Sequence, residues 1–362
     1  MKDYLPLRLH RLPSVFLGAL GILALFWFTG SLGAESDADA RLPLAVLGDS
    51  DSHSYGDTIW FPLDSDLRGG AYRASTLQWT EVVERLRGNE IDLGDWGIWG
   101  QREIVGKVSR LVGLGSPRQR KQDYEYNFAV TGSNCDDLYS AKVSQTAEFL
   151  RVAAESPDSW HSGVVQIRIG INDLGTREFL DRVAQRGLDD EVVERVDRCL
   201  AEIAASTQAI RTAHPSIAIV VVGILNNSDW PPYFDLWQTA AAQANINQML
   251  DRFDSGLRAL ANSDSRTAFF DDRAWFLGLW GGRDTAGRPK YRPYAVNHDV
   301  AVSNTQGDES RHAIIEDGHG GTLHNAIWVR DFLIFLNREF DTGLTPLSVA
   351  EIVALAGGSP DI

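Results

Sequence analysis

Apolar residues in this chain fall into two alternating kinds of stretch. Short, mostly apolar runs rich in β-branched residues occur at 44–47, 164–169, 217–224 and 267–270, with a further candidate at 124–130. Their length and composition are those of strands buried on both faces. Between them lie longer stretches whose apolar residues recur at helical spacing, at 77–86, 136–153, 190–213, 239–260 and 326–336, with a short one at 347–356. In 190–213, Val192, Val196, Cys199, Leu200 and Ile203 share one face, so Cys199 reads as a small apolar residue packed under the helix. Strands alternating with helices predict a mainly parallel sheet of about five strands with helices on both faces. Two stretches escape this pattern. Residues 55–121 show no sheet period and carry Trp60, Trp79, Trp96 and Trp99, with a loop-like Gly94-Asp95-Trp96-Gly97. These rings either fill the core beneath a long loop or flank the carboxyl edge of the sheet. Residues 278–308 read as an irregular excursion.

The strand ends carry the candidate chemistry. The first run stops at Gly48-Asp49-Ser50. A serine between strand and helix has a free main-chain N–H and the partial positive charge of a helix N-terminus beside it; the plain alternative is a helix cap. After 124–130 comes Thr131-Gly132-Ser133-Asn134, where Gly132 is either an unhindered N–H donor or an ordinary turn. After 164–169 come Gly170 and Asn172-Asp173, turn formers unless the Asn172 amide faces Ser50. Near the C-terminus, Glu316-Asp317-Gly318-His319 precedes the last long helix. A histidine there reaches the rim of the sheet, and an acid just before it can hold the imidazole. His53 and His324 are weaker candidates for the same task.

Gly48-Asp49-Ser50, then Asn127-Phe128-Ala129 with Gly132, then Gly170-Ile171-Asn172-Asp173, then an acid shortly before His319, resemble the four blocks of the SGNH, or GDSL-type, hydrolases, in the family's order. The resemblance spans roughly 42–337. It implies a flavodoxin-like three-layer α/β/α fold and a serine hydrolase of ester bonds needing no metal or organic cofactor. By the same resemblance Ser50 is the nucleophile and His319 the general base. The N–H groups of Ser50 and Gly132, with the Asn172 side chain, form the oxyanion hole. The family places Asp three residues before the histidine; here Glu316 has that spacing and Asp317 has that residue type, and spacing favours Glu316.

The chain has 362 residues, 44% of them hydrophobic and 23% charged, a globular composition. A formal charge of −15 argues against a nucleic-acid surface, which needs clustered Lys and Arg. Lys2, Arg8 and Arg11 precede an apolar run at 15–28 and a small-residue exit, so residues 1–40 read as a secretory signal or an uncleaved membrane anchor. A hydrolase domain at 41–340 and a C-terminal tail at 341–362 complete the layout. The only two cysteines, Cys135 and Cys199, could pair in an exported protein, although nothing in the sequence brings them together. The expected protein is an exported esterase or deacylase, periplasmic, extracellular or membrane-anchored. Its substrates would be small-molecule, lipid or acylated-glycan esters, with the tryptophans pointing towards glycans. The alternative is a non-catalytic glycan- or ligand-binding accessory protein on the same fold.

Overall fold

The computed structural model describes residues 41–100 and 118–357. The expected export segment and the residues 101–117 of the tryptophan-rich stretch lie outside the described residues, as do 358–362.

In chain order the first strands are β1 (Leu42–Gly48), β2 (Ile91–Asp92), the antiparallel pair β3 (Trp96–Trp99) and β4 (Lys121–Tyr124), then β5 (Val164–Arg168), β6 (Ala218–Val222) and β7 (Thr267–Phe270). β2, β1, β5, β6 and β7 pair in that order into one parallel sheet. The sheet is filled first on one side of β1 and then on the other, a flavodoxin-like order whose reversal lies at β1 and β5. Both faces are covered. Leu44, Val46, Val164, Val220 and Val222 pack under the helices Trp79–Arg87, Asp272–Trp280, Thr322–Phe340 and Val349–Ala356. Ala45, Leu47, Val165, Ile167, Ile219 and Val221 pack under Gln145–Ala153, Arg177–Arg186, Asp190–Ala213 and Ala240–Asn262. Period-two alternation sends successive side chains to opposite cores, so these strands read as apolar runs. The molecule is a three-layer α/β/α sandwich.

Four local expectations are corrected. Residues 126–130 run beside β1, with the Val46 N–H donating to Tyr126 and the Phe128 N–H to Val46, yet they form only an isolated bridge at Asn127. The Asn127 side chain competes with the ladder: Nδ2 donates to the Ser52 carbonyl and the Asp123 carboxylate, and Oδ1 accepts from the Ala129 N–H. The expected helix at 136–153 is two helices, Cys135–Leu138 and Gln145–Ala153, the second capped by Ser144 through the Ala147 N–H. Gly94–Gly97, read as loop, feeds the β3–β4 pair. The excursion at 278–308 holds the hairpin Gly281–Arg283 with Pro289–Tyr291 and the strands Tyr294–Ala295 and Ala301–Gln306, which form a small sheet with His312–Ile314 just beyond it.

Residues beyond 340 pack on the first core through Leu344, Leu347, Ile352 and Leu355. Buried Arg87 fastens them, donating to the carbonyls of Thr345 and Pro346 and pairing with Glu351 at 2.8 Å. No described helix is long and apolar enough to cross a membrane.

Cys199 is not merely a packed apolar residue: it is bonded to Cys135, with Cα atoms 5.0 Å apart. The bond closes a loop of 64 residues, and the loop-entropy argument assigns it about 4 kcal/mol. Reduction is therefore expected to lower the unfolding free energy by about that amount, read as a fall in the urea midpoint. An unchanged midpoint after reduction would show that the bond contributes nothing.

Candidate active site

β1 delivers Ser50 to the carboxyl edge of the sheet at the topological switch, where ligands of open α/β sheets bind. Leu44 to Leu47 are fully buried, and Gly48 pairs with Arg168 so closely that a Cβ would collide with the Arg168 carbonyl. The Gln145 side chain locks this end, accepting from the Gly48 N–H at 2.7 Å and donating to the Gly48 carbonyl at 2.8 Å. Past Gly48 the chain makes turns rather than the expected helix. The Asp49 carboxylate accepts the Asp51 N–H at 3.0 Å, and its carbonyl accepts those of Ser52 and His53. Burial, then the Asp51 charge, pushes the Asp49 carboxyl well above the usual range. Ser50 sits at the apex, 7% exposed, and neither its N–H nor its Oγ bonds another described residue. The turn therefore supplies a free N–H without a helix dipole behind it.

The loop after Val130 lies alongside. The Val130 N–H donates to the Gly48 carbonyl, and the Ser133 N–H returns to the Val130 carbonyl. Gly132 between them has φ +80°, a backbone region that favours glycine. Its N–H has no partner among the described residues, and a Cβ there would meet open space. His53, a weaker candidate for the base, supports this loop instead. It is fully buried, its Nδ1 accepts the Thr131 N–H at 3.1 Å, and its Nε2 pairs with Asp57 at 2.9 Å. Burial, then the Lys121 charge, pushes its imidazole down to about 4. From the short helix Ile171–Leu174 after β5, Asn172 donates one Nδ2 hydrogen to the Ser133 carbonyl at 2.9 Å, leaving the other uncommitted.

The last loop brings in the imidazole. The Gly318 N–H donates to the Ile315 carbonyl, and the Ile315 N–H to the His319 carbonyl, folding 315–319 into a tight turn. Of the two acids, Asp317 meets the histidine, with Oδ1 2.9 Å from Nδ1. Spacing had favoured Glu316; its side chain is exposed and makes no contact with His319. The Glu316 backbone is tied down elsewhere, its N–H donating to Asp308 and its carbonyl accepting from Gln306. The turn sends residue 317 inward and residue 316 outward, which counting along the chain does not reveal. Burial raises the Asp317 carboxyl, but the His319 bond and charge, with Arg68, outweigh it and hold it down at about 2.

Ser50, Asn172, Asp317 and His319 line one cavity of about 320 Å³. Gly132 and Glu316 are not on its wall. With Nδ1–H assigned to the Asp317 carboxylate, Nε2 of His319 is the basic nitrogen, and it bonds no described residue. No hydrogen bond joins it to Ser50; such contacts tighten when substrate is present.

Other wall residues carried little sequence signal. Arg168 pairs with buried Asp272 at 2.5 Å, and Asn304 and Asn325 come from the far end of the chain. His324 stacks on Trp280 and, with burial as the main cause and Arg168 second, is pushed down to about 3. The aromatic wall is Trp230, Tyr233 and Phe276. None of Trp60, Trp79, Trp96 and Trp99 lines it; Trp79 is core, against Trp328 and Phe332. Cys135, Asp173 and Cys199 also come together, but the sulfurs are joined to each other.

No family model and no curated protein sequence matches the chain. Solved structures with a partial likeness include an extracellular lipase from Streptomyces rimosus, at 17% identity over 69% of this chain and 86% of that one, TM-score 0.35. The lipase Lip_vut3 from a goat rumen metagenome shares 15% identity over 66% and 84%, TM-score 0.33. A carbohydrate esterase family 3 protein from Talaromyces cellulolyticus shares 12% over 69% and 89%, TM-score 0.31. The functional reading rests on the geometry of the site.

Proposed function

We propose that the protein is a serine hydrolase of carboxylic esters. The observation that carries this reading is the shared cavity: a serine with a free hydroxyl and a histidine oriented through Nδ1 by the half-buried Asp317 carboxylate line the same wall. Acyl transfer needs an activated hydroxyl, a proton carrier and donors for the developing oxyanion. His319 Nε2 takes the Ser50 proton as Oγ attacks the ester carbonyl. The tetrahedral oxygen is met by the Ser50 N–H and the free Nδ2 hydrogen of Asn172, both on the cavity wall; the family resemblance adds the Gly132 N–H, which is unpartnered among the described residues but does not line the cavity. Collapse of that intermediate breaks the bond to the alcohol, which leaves with the proton from His319. Water then releases the acid from Ser50 by the same route. Asp317 keeps the imidazole in the useful tautomer and balances its charge while it holds the proton.

The wall supports a small polar ester, such as an acylated sugar unit, over a long-chain lipid. Five amide side chains, Gln78, Asn172, Asn226, Asn304 and Asn325, make the wall polar; Asn172 keeps one amide hydrogen and Asn304 Oδ1 has no described partner, and Trp230 supplies an apolar ring of the kind that covers a sugar face. Acetylated sugars and short-chain p-nitrophenyl esters are expected to be cleaved at least tenfold faster, by kcat/KM, than esters of C12 or longer acids. A preference for the long chains would contradict this assignment. The disulfide and the leader-like N-terminus support export, with membrane attachment if the leader is retained.

A further inference from the structure

We propose that Arg68 is a positioning residue that holds the Asp317–His319 pair and the Thr131–Gly132 loop in register, an assignment that rests on the ester-hydrolase reading. Arg68 belongs to the excursion between Ser50 and the helix Trp79–Arg87, yet it is only 2% exposed. Asp317 has two carboxylate oxygens, and Arg68 occupies the one that His319 does not use. Its main-chain N–H and its Nη1 both donate to Oδ2, at 2.8 and 3.1 Å, while Oδ1 faces His319 Nδ1. The carboxylate is thereby fixed in rotation with the correct oxygen towards the ring.

The same guanidinium reaches Thr131 Oγ1 through Nη2 at 3.4 Å, and its Nη1 lies against His319 Nδ1 as a neighbour rather than a hydrogen-bond partner, since both nitrogens are donors once Nδ1 carries the proton shared with Asp317. Thr131 is the neighbour of Gly132, and its N–H is held by His53. One planar group therefore touches the turn that carries the base and the loop that carries a candidate oxyanion donor. Its own plane is set by two rings: the guanidinium carbon lies 4.1 Å from the centre of Phe61 and 5.1 Å from that of Tyr55. Tyr55 is itself tied to the last loop, its hydroxyl donating to the Gly320 carbonyl. Arg68 also adopts φ +60°, and Gly69 and Gly70 follow it with positive φ. A non-glycine residue persists in that region only where its surroundings over-determine it. Lysine would not substitute, because a single ammonium cannot present the planar fork that spans Asp317 and Thr131.

The test is the second-order rate of Ser50 labelling by a fluorophosphonate in the full-length protein, for Arg68→Met and Arg68→Lys, each alone and combined with Asp317→Asn. Arg68→Met and Arg68→Lys are each expected to slow labelling roughly tenfold to a hundredfold, the scale of a small misplacement of catalytic groups. In the Asp317→Asn background each should slow labelling several-fold less than in the wild type, because most of the effect passes through that carboxylate and only the Thr131 contact is left to lose. Should Arg68→Met fail to melt cooperatively, Arg68→Lys carries the comparison. An independent readout is the low-field proton resonance of His319 Nδ1–H, expected in the wild type and lost in both variants. Unchanged labelling, or equal slowing in both backgrounds, would overturn the assignment and leave the hydrolase reading standing. No labelling of the wild type, with a His319 resonance that still depends on Arg68, would overturn the hydrolase reading and leave Arg68 as the support of that pair.

Discussion

Replacing Ser50 with alanine is expected to reduce ester hydrolysis by a factor of about 10⁴ or more while leaving the melting temperature within a few degrees of the wild type. The size follows from the role. Without Oγ there is no acyl intermediate, and what remains is binding and oxyanion stabilisation acting on a water molecule. The small effect on stability follows from the structure: Ser50 Oγ bonds no described residue, and the turn around it is held by Asp49, Gln78 and Gln145. Hydrolysis of a short p-nitrophenyl ester measures the first quantity and a thermal melt the second. A variant retaining more than a tenth of the wild-type rate would remove Ser50 from the chemistry.

The second large effect separates the two acids before His319. Asp317→Asn keeps the shape of the side chain but removes the charge that fixes the imidazole proton on Nδ1, and kcat is expected to fall by a factor of about 10² to 10⁴. Glu316→Gln is expected to stay within about twofold of the wild type, since that side chain is exposed and makes no contact with the ring. Asp317 is held down at about 2 in the folded protein, below the ordinary value of 3.8. Its carboxylate therefore stabilises the fold fully above about pH 4, and that contribution is lost as pH falls towards 2. The difference in stability between the wild type and Asp317→Asn should accordingly shrink across that window. A large loss of activity in Glu316→Gln with little in Asp317→Asn would reverse the assignment.

The layers were legible because buried parallel strands and amphipathic helices write their periods directly into the chain: Thr267–Phe270 and Asp190–Ala213 begin and end where the pattern places them. Other features depend on side-chain hydrogen bonds that carry no period. Asn127 turns an apparent strand into a bridged loop, and Asp49 turns an expected helix start into a tight turn. At the site, serine, asparagine and histidine were visible because each follows a strand or precedes the last helix. Arg68 was not visible, since its partners Asp317 and Thr131 lie 249 and 63 residues away and the fold alone brings them to it. Cys199 shows the same limit: helical spacing reported its packing correctly and said nothing of its bond to Cys135.

The central claim is that Ser50 is an activated nucleophile, and covalent labelling of the full-length protein with a fluorophosphonate, followed by peptide mapping, tests it most directly. The expected result is a single phosphonyl adduct on Ser50, absent in Ser50→Ala and strongly reduced in His319→Ala. An unlabelled Ser50 in protein that melts cooperatively would contradict it, and would favour a ligand-binding role for the same cavity.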